Sequence, residues 1–388
     1  MFALDCVIKP YVWGSRYAIA TLCGRPAPSP EPEAELWMGA HPLGSSLVRL
    51  PSGPRSLAEW AASDPRRVLG AAHQQRFGRL SFLLKVLAAE EPLSLQVHPS
   101  LEQARAGFAR EELAKVPLDA PNRNYKDDNH KPELLVALGP FEALSGFRSN
   151  QEIRGLVARL SIPELDSLSA ANTSLPSLFA ALVSLSSDTR RRIAAPFIEA
   201  AAREASVGGA DAGAFQWADR LARKYPEDPG AIASLMLRHV SLQAGEGIYL
   251  GAGNLHAYLH GSGIEIMASS DNVLRGGLTP KHVDVGELLR VIDFDALEPA
   301  IVRADHDGQF NTPAPEFRLS RLELPEQGRV EVATNGPEIV LVTRGTFNVS
   351  SAEGETTLNS GESAFAPGSL DSYVISGAGE LYRARARP

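Results

Sequence analysis

Cysteine is almost missing from this chain. Its 388 residues hold two, Cys6 and Cys23, too few for a disulfide framework, so both are expected to behave as small buried hydrophobes in a reducing compartment. Long apolar runs are missing as well: no stretch approaches the ~18 consecutive apolar residues of a membrane span. The first residues, Met1-Phe2-Ala3-Leu4-Asp5-Cys6, have neither the basic start nor the apolar run of a signal peptide. Excess positive charge is lacking too. The formal net charge is −8 and the pI ≈ 5.7. The strongest basic run, Arg190-Arg191-Arg192, falls in a helical pattern and reads as a solvated helix face. These absences argue against nucleic-acid and membrane partners and lead to the expectation of a cytoplasmic monomer.

What is present is ordinary globular composition, 44% hydrophobic and 22% charged, enough for two or three compact units at ~100–200 residues each. The 28 prolines and 33 glycines are spread along the chain, as many short strands joined by turns require. Residues 78–98 read as two strands and a turn, and 101–116 as an amphipathic helix. From 150 to 240 the texture becomes helical, with periodic pieces at 151–160, 175–185, 188–205, 213–224 and 230–239. Strands and glycines return after 241, with a short helix over 284–297. Beyond 300, short strands recur at about ten-residue spacing, with turns expected at Asn335-Gly336, Arg344-Gly345, Ser360-Gly361 and Pro367-Gly368. The pattern predicts a mainly β protein with a helical insertion: residues 1–149 and 241–300 form one β domain, 150–240 interrupt it, and 301–388 form a second β domain.

Three segments carry the chemistry. In Ser94-Leu95-Gln96-Val97-His98 the alternation of a strand puts Ser94, Gln96 and His98 on one face; the same pattern also fits the wet side of an edge strand. In Asn129-His130-Lys131-Pro132-Glu133 a polar loop feeds an apolar strand with a carboxylate at the junction. That carboxylate is costly to bury unless paired or metal-bound, although a surface Lys–Glu pair is the simpler reading of this segment alone. The third runs from Gly253 to His282 and gathers His256, His260, Glu265, Arg275 and Lys281 among glycines, which let backbone approach a ligand. Taken together, Gln96, His98, Glu133 and His256 offer two imidazoles, a carboxylate and an amide oxygen. Such a set suits zinc and equally the two-His, one-carboxylate pattern of ferrous iron. Grouped Lys and Arg suit an anionic substrate, Arg as a bidentate phosphate ligand.

The chain resembles the type I mannose-6-phosphate isomerase (phosphomannose isomerase) family. The likeness runs in order through Tyr11-Val12-Trp13-Gly14-Ser15, Ala34-Glu35-Leu36-Trp37-Met38-Gly39-Ala40-His41, Gln96-Val97-His98-Pro99, Asn129-His130-Lys131-Pro132-Glu133, Gly253-Asn254-Leu255-His256 and Asp271-Asn272-Val273-Leu274-Arg275-Gly276-Gly277 through Lys281. The resemblance implies two cupin-like (jelly-roll) β-barrels plus a helical domain, the C-terminal barrel lacking a metal site. It also implies one zinc ion on Gln96, His98, Glu133 and His256, and a sugar-phosphate substrate. Arg275 matches the residue taken as catalytic, Lys131, Glu265 and Lys281 match pocket residues, and Lys85 and Ser94 match positions that hold the substrate. Ser100 departs from the acidic or amide residue expected after His98-Pro99.

Aldose–ketose isomerisation moves a proton between C2 and C1 and needs positive charge at the developing enediolate oxygen, which a metal and Arg275 can supply. Arg275 itself stays protonated and is no base. Lys131, Glu265 and His130 are all candidates for the carbon proton, and the sequence does not rank them. Two other classes use the same scaffold. A ferrous dioxygenase would need no phosphate clamp of Lys85, Arg275 and Lys281; a sugar-binding or storage protein would need no complete ligand set.

Overall fold

The computed structural model describes residues 1–295 and 298–387. It is mainly β, built on two antiparallel sheets. The first, the site sheet, has eleven strands. Along its main path lie Ala300–Arg303, Glu246–Leu250, Glu133–Ala137, His256–Ala268, Phe82–Ala89, Glu35–Met38 and Val7–Lys9. The thirteen-residue strand His256–Ala268 is its spine. Positions 261–268 pair with Phe82–Ala89, whereas His256 pairs with Gln96 of Leu95–Val97 and 256–260 pair along Phe141–Phe147. The corner between these halves falls at Gly261, whose φ is +121°. A Cβ there would lie 2.7 Å from both the Phe141 ring and the Pro140 carbonyl, so only glycine turns this corner without strain. The bend brings His256 from one half and Glu265 from the other to the same cleft.

The second, terminal sheet orders Gln309–Phe310, Arg318–Ala333, Ser372–Arg385, Glu338–Ser351, Ser363–Ala366, Phe2–Asp5, Leu47–Leu50 and Gly53–Ser56. Its pairing crosses the division expected from sequence, since three strands of the first 149 residues add to C-terminal ones: Phe2 pairs with Phe365 and Leu4 with Val48. One apolar core joins the two sheets, with Leu84, Val86, Ile264 and Ile266 packed in the same cluster as Phe310, Ile339, Phe365 and Tyr382.

The helical region comprises Asn150–Leu160, Pro163–Ala171, Leu175–Val183, Ser187–Val207, Ala212–Lys224 and Gly230–Ala233. Ser149 and Ser174 close capping boxes at two of these helices, satisfying their first free N–H groups. Phe147, Phe179, Phe197, Phe215 and Leu221 form a core that extends to Leu95, Val97 and Leu274. Burial of Leu95 and Val97 against the helices turns the alternate residue, Gln96, to the opposite side.

Several expectations shift. The helix Pro163–Ala171 and the three short helices Leu57–Ser63, Pro65–Leu69 and Ala71–Phe77 were not anticipated, and 230–239 divides into a short helix, a 3₁₀ turn and the start of the strand Leu237–Leu242. The helix expected over 284–297 spans Val285–Val291, and 296 and 297, like 388, lie outside the described residues. The C-terminal strands are longer than ten-residue spacing suggests, up to the sixteen residues of Arg318–Ala333. Arg344-Gly345 is no turn: it lies inside Glu338–Ser351 at a register shift opposite Gly379. A Cβ on Gly345 would meet the Ala378 carbonyl at 2.0 Å, so the glycine serves a bulge that bends the strand.

Candidate active site

The strand ends carrying Gln96, Glu133, His256 and Arg275 open on a cleft of ≈ 690 Å³. At its floor His98, Glu133 and His256 are buried, and one ligand atom of each lies within 4.8 Å of the others. His98 Nδ1 donates to the Asn272 carbonyl at 2.8 Å and His256 Nδ1 to the Asn254 carbonyl at 2.9 Å. A carbonyl only accepts, so each ring keeps its proton on Nδ1 and turns an Nε2 lone pair inward. Those Nε2 atoms lie 3.4 Å and 3.7 Å from the two oxygens of Glu133. Burial holds His256 down to about 4, so the imidazole is neutral and ready to ligate. Burial works against the Glu133 carboxylate, but the Lys131 ammonium beside it prevails and holds the group well below the usual carboxylate range. His98 Nε2 is buried without a hydrogen-bond partner. A lone pair facing a carboxylate in a dry site is unfavourable unless a cation lies between them. Gln96, paired in the sheet with both His256 and Arg275, faces the same cleft, which completes an N/O donor set fit for a divalent metal.

Beside this cluster lie more ionisable groups than neutrality at each allows. The Lys85 ammonium is buried, 3.5 Å from Glu35 and 3.2 Å from Glu265, and over the Trp37 ring at 5.3 Å. Burial pushes Lys85 down, yet Glu35 and Glu265 prevail and leave it above its ordinary value. Lys131 is 3.2 Å from Glu133. Three buried carboxylates thus share two lysines. Glu265, deepest of them, is pushed up to about 7 by burial despite Lys85, with Glu133 adding to the rise.

Arg275 and Lys281 line the cleft, and among the described residues neither makes an ion pair. Burial lowers both below their ordinary values, with Arg275 adding to the effect on Lys281. Cations left without counter-ions in a cleft suit an anionic ligand. Ser94 lines the same cleft. Nine of the ten residues expected to form the site therefore line one cavity, and His98 lies just beneath its floor. His130 does not join them: its Nε2 is 2.7 Å from Glu316 Oε1, directed at the terminal-sheet side.

Sequence reasoning passed over others. Glu35 and Trp37 alternate on a wholly buried strand, and Trp37 Nε1 donates to Glu35 at 2.7 Å; a glutamate inside ELWM was the available signal. His41 Nε2 is 3.4 Å from Asp271, which it holds ionised against burial. Lys224 and Tyr225 bring the helical region to the cleft wall, and no local pattern marked them.

Comparison with known proteins places this geometry. The family described as "Phosphomannose isomerase type I, catalytic domain" matches residues 1–150. The chain is 37% identical over 394 residues to mannose-6-phosphate isomerase of Escherichia coli (strain K12), covering 97% of each. It is 32% identical over 403 residues to the Rattus norvegicus enzyme, covering 93% of this chain and 92% of that one. A crystal structure of a phosphomannose isomerase variant from Salmonella typhimurium matches with TM-score 0.91 and 35% identity over all of both chains. A zinc-bound mannose 6-phosphate isomerase matches with TM-score 0.90 and 34% identity, covering 100% and 99%.

Proposed function

The chain belongs to the type I mannose-6-phosphate isomerase family, and from that membership we propose that it interconverts mannose 6-phosphate and fructose 6-phosphate with one zinc ion bound to Gln96, His98, Glu133 and His256. The observation that carries the reading is the buried, unpartnered His98 Nε2 facing Glu133, in a cleft that also holds two cations without counter-ions. When bound, zinc supplies Lewis-acid stabilisation of the oxygen that becomes negative as the enediolate forms.

The remaining steps fall to the chain's own side chains. Lys281 and Ser94 hold the substrate's phosphate end, and Lys85, pinned between Glu35 and Glu265, holds a sugar hydroxyl. Arg275 stays protonated and stabilises negative charge on the enediolate. Glu265 takes the proton from C2 and returns it to C1, while the C2 hydroxyl proton passes to the adjacent C1 oxygen in the enediolate: a carboxyl held near 7 accepts and releases protons with little bias at neutral pH. Lys131 is the rival for this step, because its ammonium is 3.2 Å from a proposed ligand and lines the same cleft. We read the two sheets as cupin-like barrels, the first catalytic and the second without a metal site, with 150–240 as the inserted helical domain. In this reading the enzyme is a cytoplasmic monomer. None of its described helices is long and apolar enough to cross a membrane.

A coupled assay with mannose 6-phosphate on zinc-loaded protein tests the activity, and absence of turnover would sink it. Exchange of the C2 proton with solvent deuterium decides between bases. Glu265→Gln is expected to abolish exchange, and full exchange in that variant would hand the role to Lys131.

A further inference from the structure

We propose that Asn272 is the positioning residue of the centre: its carbonyl fixes the orientation of His98 and its side chain holds the loop that delivers Lys131 and Glu133. The inference rests on His98 being a zinc ligand, as proposed above.

Asn272 lies between the strands His256–Ala268 and Leu274–Gly277 and is fully buried. Its backbone carbonyl accepts the His98 Nδ1 proton at 2.8 Å. That single contact sets which His98 nitrogen is free and where the ring points. Its side chain is fully committed elsewhere. Oδ1 accepts from the backbone N–H of Lys126 at 2.7 Å and of Asp127 at 3.3 Å. Nδ2 donates to the carbonyls of Asp127 and Asn129, both at 2.8 Å. Two acceptances and two donations exhaust a carboxamide, so in this dry position the side chain has one satisfied orientation and no slack. Ser270 tightens the arrangement: its Oγ accepts from Asn272 N at 3.2 Å and donates to Asp127 Oδ1 at 2.8 Å.

One residue therefore joins three pieces of chain. The first is the end of Leu95–Val97, with His98 just beyond it. The second is the loop 126–129, two residues short of Lys131 and four short of Glu133. The third is its own segment, three residues before Arg275. Among the described residues no regular hydrogen-bond ladder ties the loop to His98; the carboxamide does so, helped by Asp271 N–H donating to Asp127 Oδ2 at 2.8 Å and by Ser270. Loosening it is expected to free the His98 ring and the Lys131 loop together, although neither the carboxamide nor its partners touch the ion. A staple that served only the fold would lower stability and leave the centre's ligand field intact.

The test uses full-length, zinc-loaded protein with Asn272→Ala, and the milder Ser270→Ala, which removes the three contacts of that hydroxyl and leaves the carboxamide. Zinc release into a chromophoric chelator is expected to quicken about 10–100-fold in Asn272→Ala, the usual range for groups that orient ligands, and severalfold in Ser270→Ala. The visible spectrum of the cobalt-substituted variants should shift, and kcat at saturating zinc should fall with KM little changed. Should Asn272→Ala not fold, Ser270→Ala carries the test alone. Folded variants that release zinc at the wild-type rate and keep the wild-type cobalt spectrum would overturn the proposal, even if they melt earlier. A wild-type chain that takes up no zinc would overturn it together with the ligand assignment.

Discussion

Both sheets bury glutamate, and Glu338 of one and Glu133 of the other are treated in opposite ways. In the terminal sheet Glu338 is wholly buried and receives the Tyr373 hydroxyl at 2.8 Å and the Arg383 guanidinium at 2.9 Å; Arg383 Nε also donates to the Tyr373 oxygen at 3.1 Å. Both donors reach Oε2, Oε1 being left without a hydrogen-bond partner, and the charge is neutralised inside the chain by Arg383. In the site sheet Glu133 has one cation, Lys131 at 3.2 Å, and otherwise faces imidazole nitrogens presenting lone pairs, in a cavity wide enough for a small molecule. The physics is common to both, since a buried carboxylate must be compensated. The partners decide the outcome: donors alone make a staple, whereas two acceptors beside one lysine leave a site that a further cation completes.

Four experiments would break or sharpen this contrast. Glu133→Ala should remove zinc and lower turnover by about 10⁴-fold, the loss of several kcal/mol of metal-assisted stabilisation; metal analysis with a coupled assay checks it, and retained zinc would erase the distinction. Glu338→Ala should instead cost stability, about 3–5 kcal/mol for an orphaned buried charge pair, while zinc content and turnover per folded molecule stay at wild-type level in denaturant titration and assay. Arg275→Ala should keep zinc and lose about 10²–10³ in kcat; wild-type turnover would remove its role. The smallest effect concerns pH in the metal-free protein. The folded His256 is held near 4, below the ~6.5 of a free imidazole, so the unfolded chain binds that proton first. Stability is complete above about 6.5 and declines towards 4, by up to about 3 kcal/mol. Urea midpoints across that range are the check, with His256→Gln expected to flatten this contribution.

Much of the site was legible because its donors sit on strands, where alternation is local. Leu95 and Val97 announce a buried face, so Gln96 must point the other way. Asn129 to Glu133 could be placed at a loop–strand junction from its proline and the apolar run that follows. What could not be read was non-local. Nothing within residues 2–5 says that this strand pairs beside 363–366, because backbone pairing carries no sequence label. The same gap hid Lys224 and Tyr225, ordinary residues at a helix end until the fold sets them against the cleft, and detached His130, whose partner Glu316 lies in the other half of the chain. Glycine misled once, since Arg344-Gly345 has the composition of a turn and the function of a bend.

The pairing of Phe2 with Phe365 also orders events during synthesis. As the chain leaves the ribosome, every strand of the site sheet has emerged once Ala300–Arg303 appears, and the zinc-binding groups can assemble while translation continues. The first strand must wait, its edge unpaired, until nearly the last residues arrive. Nascent chains halted after the site sheet should therefore capture metal, yet remain prone to stick to one another through that waiting edge.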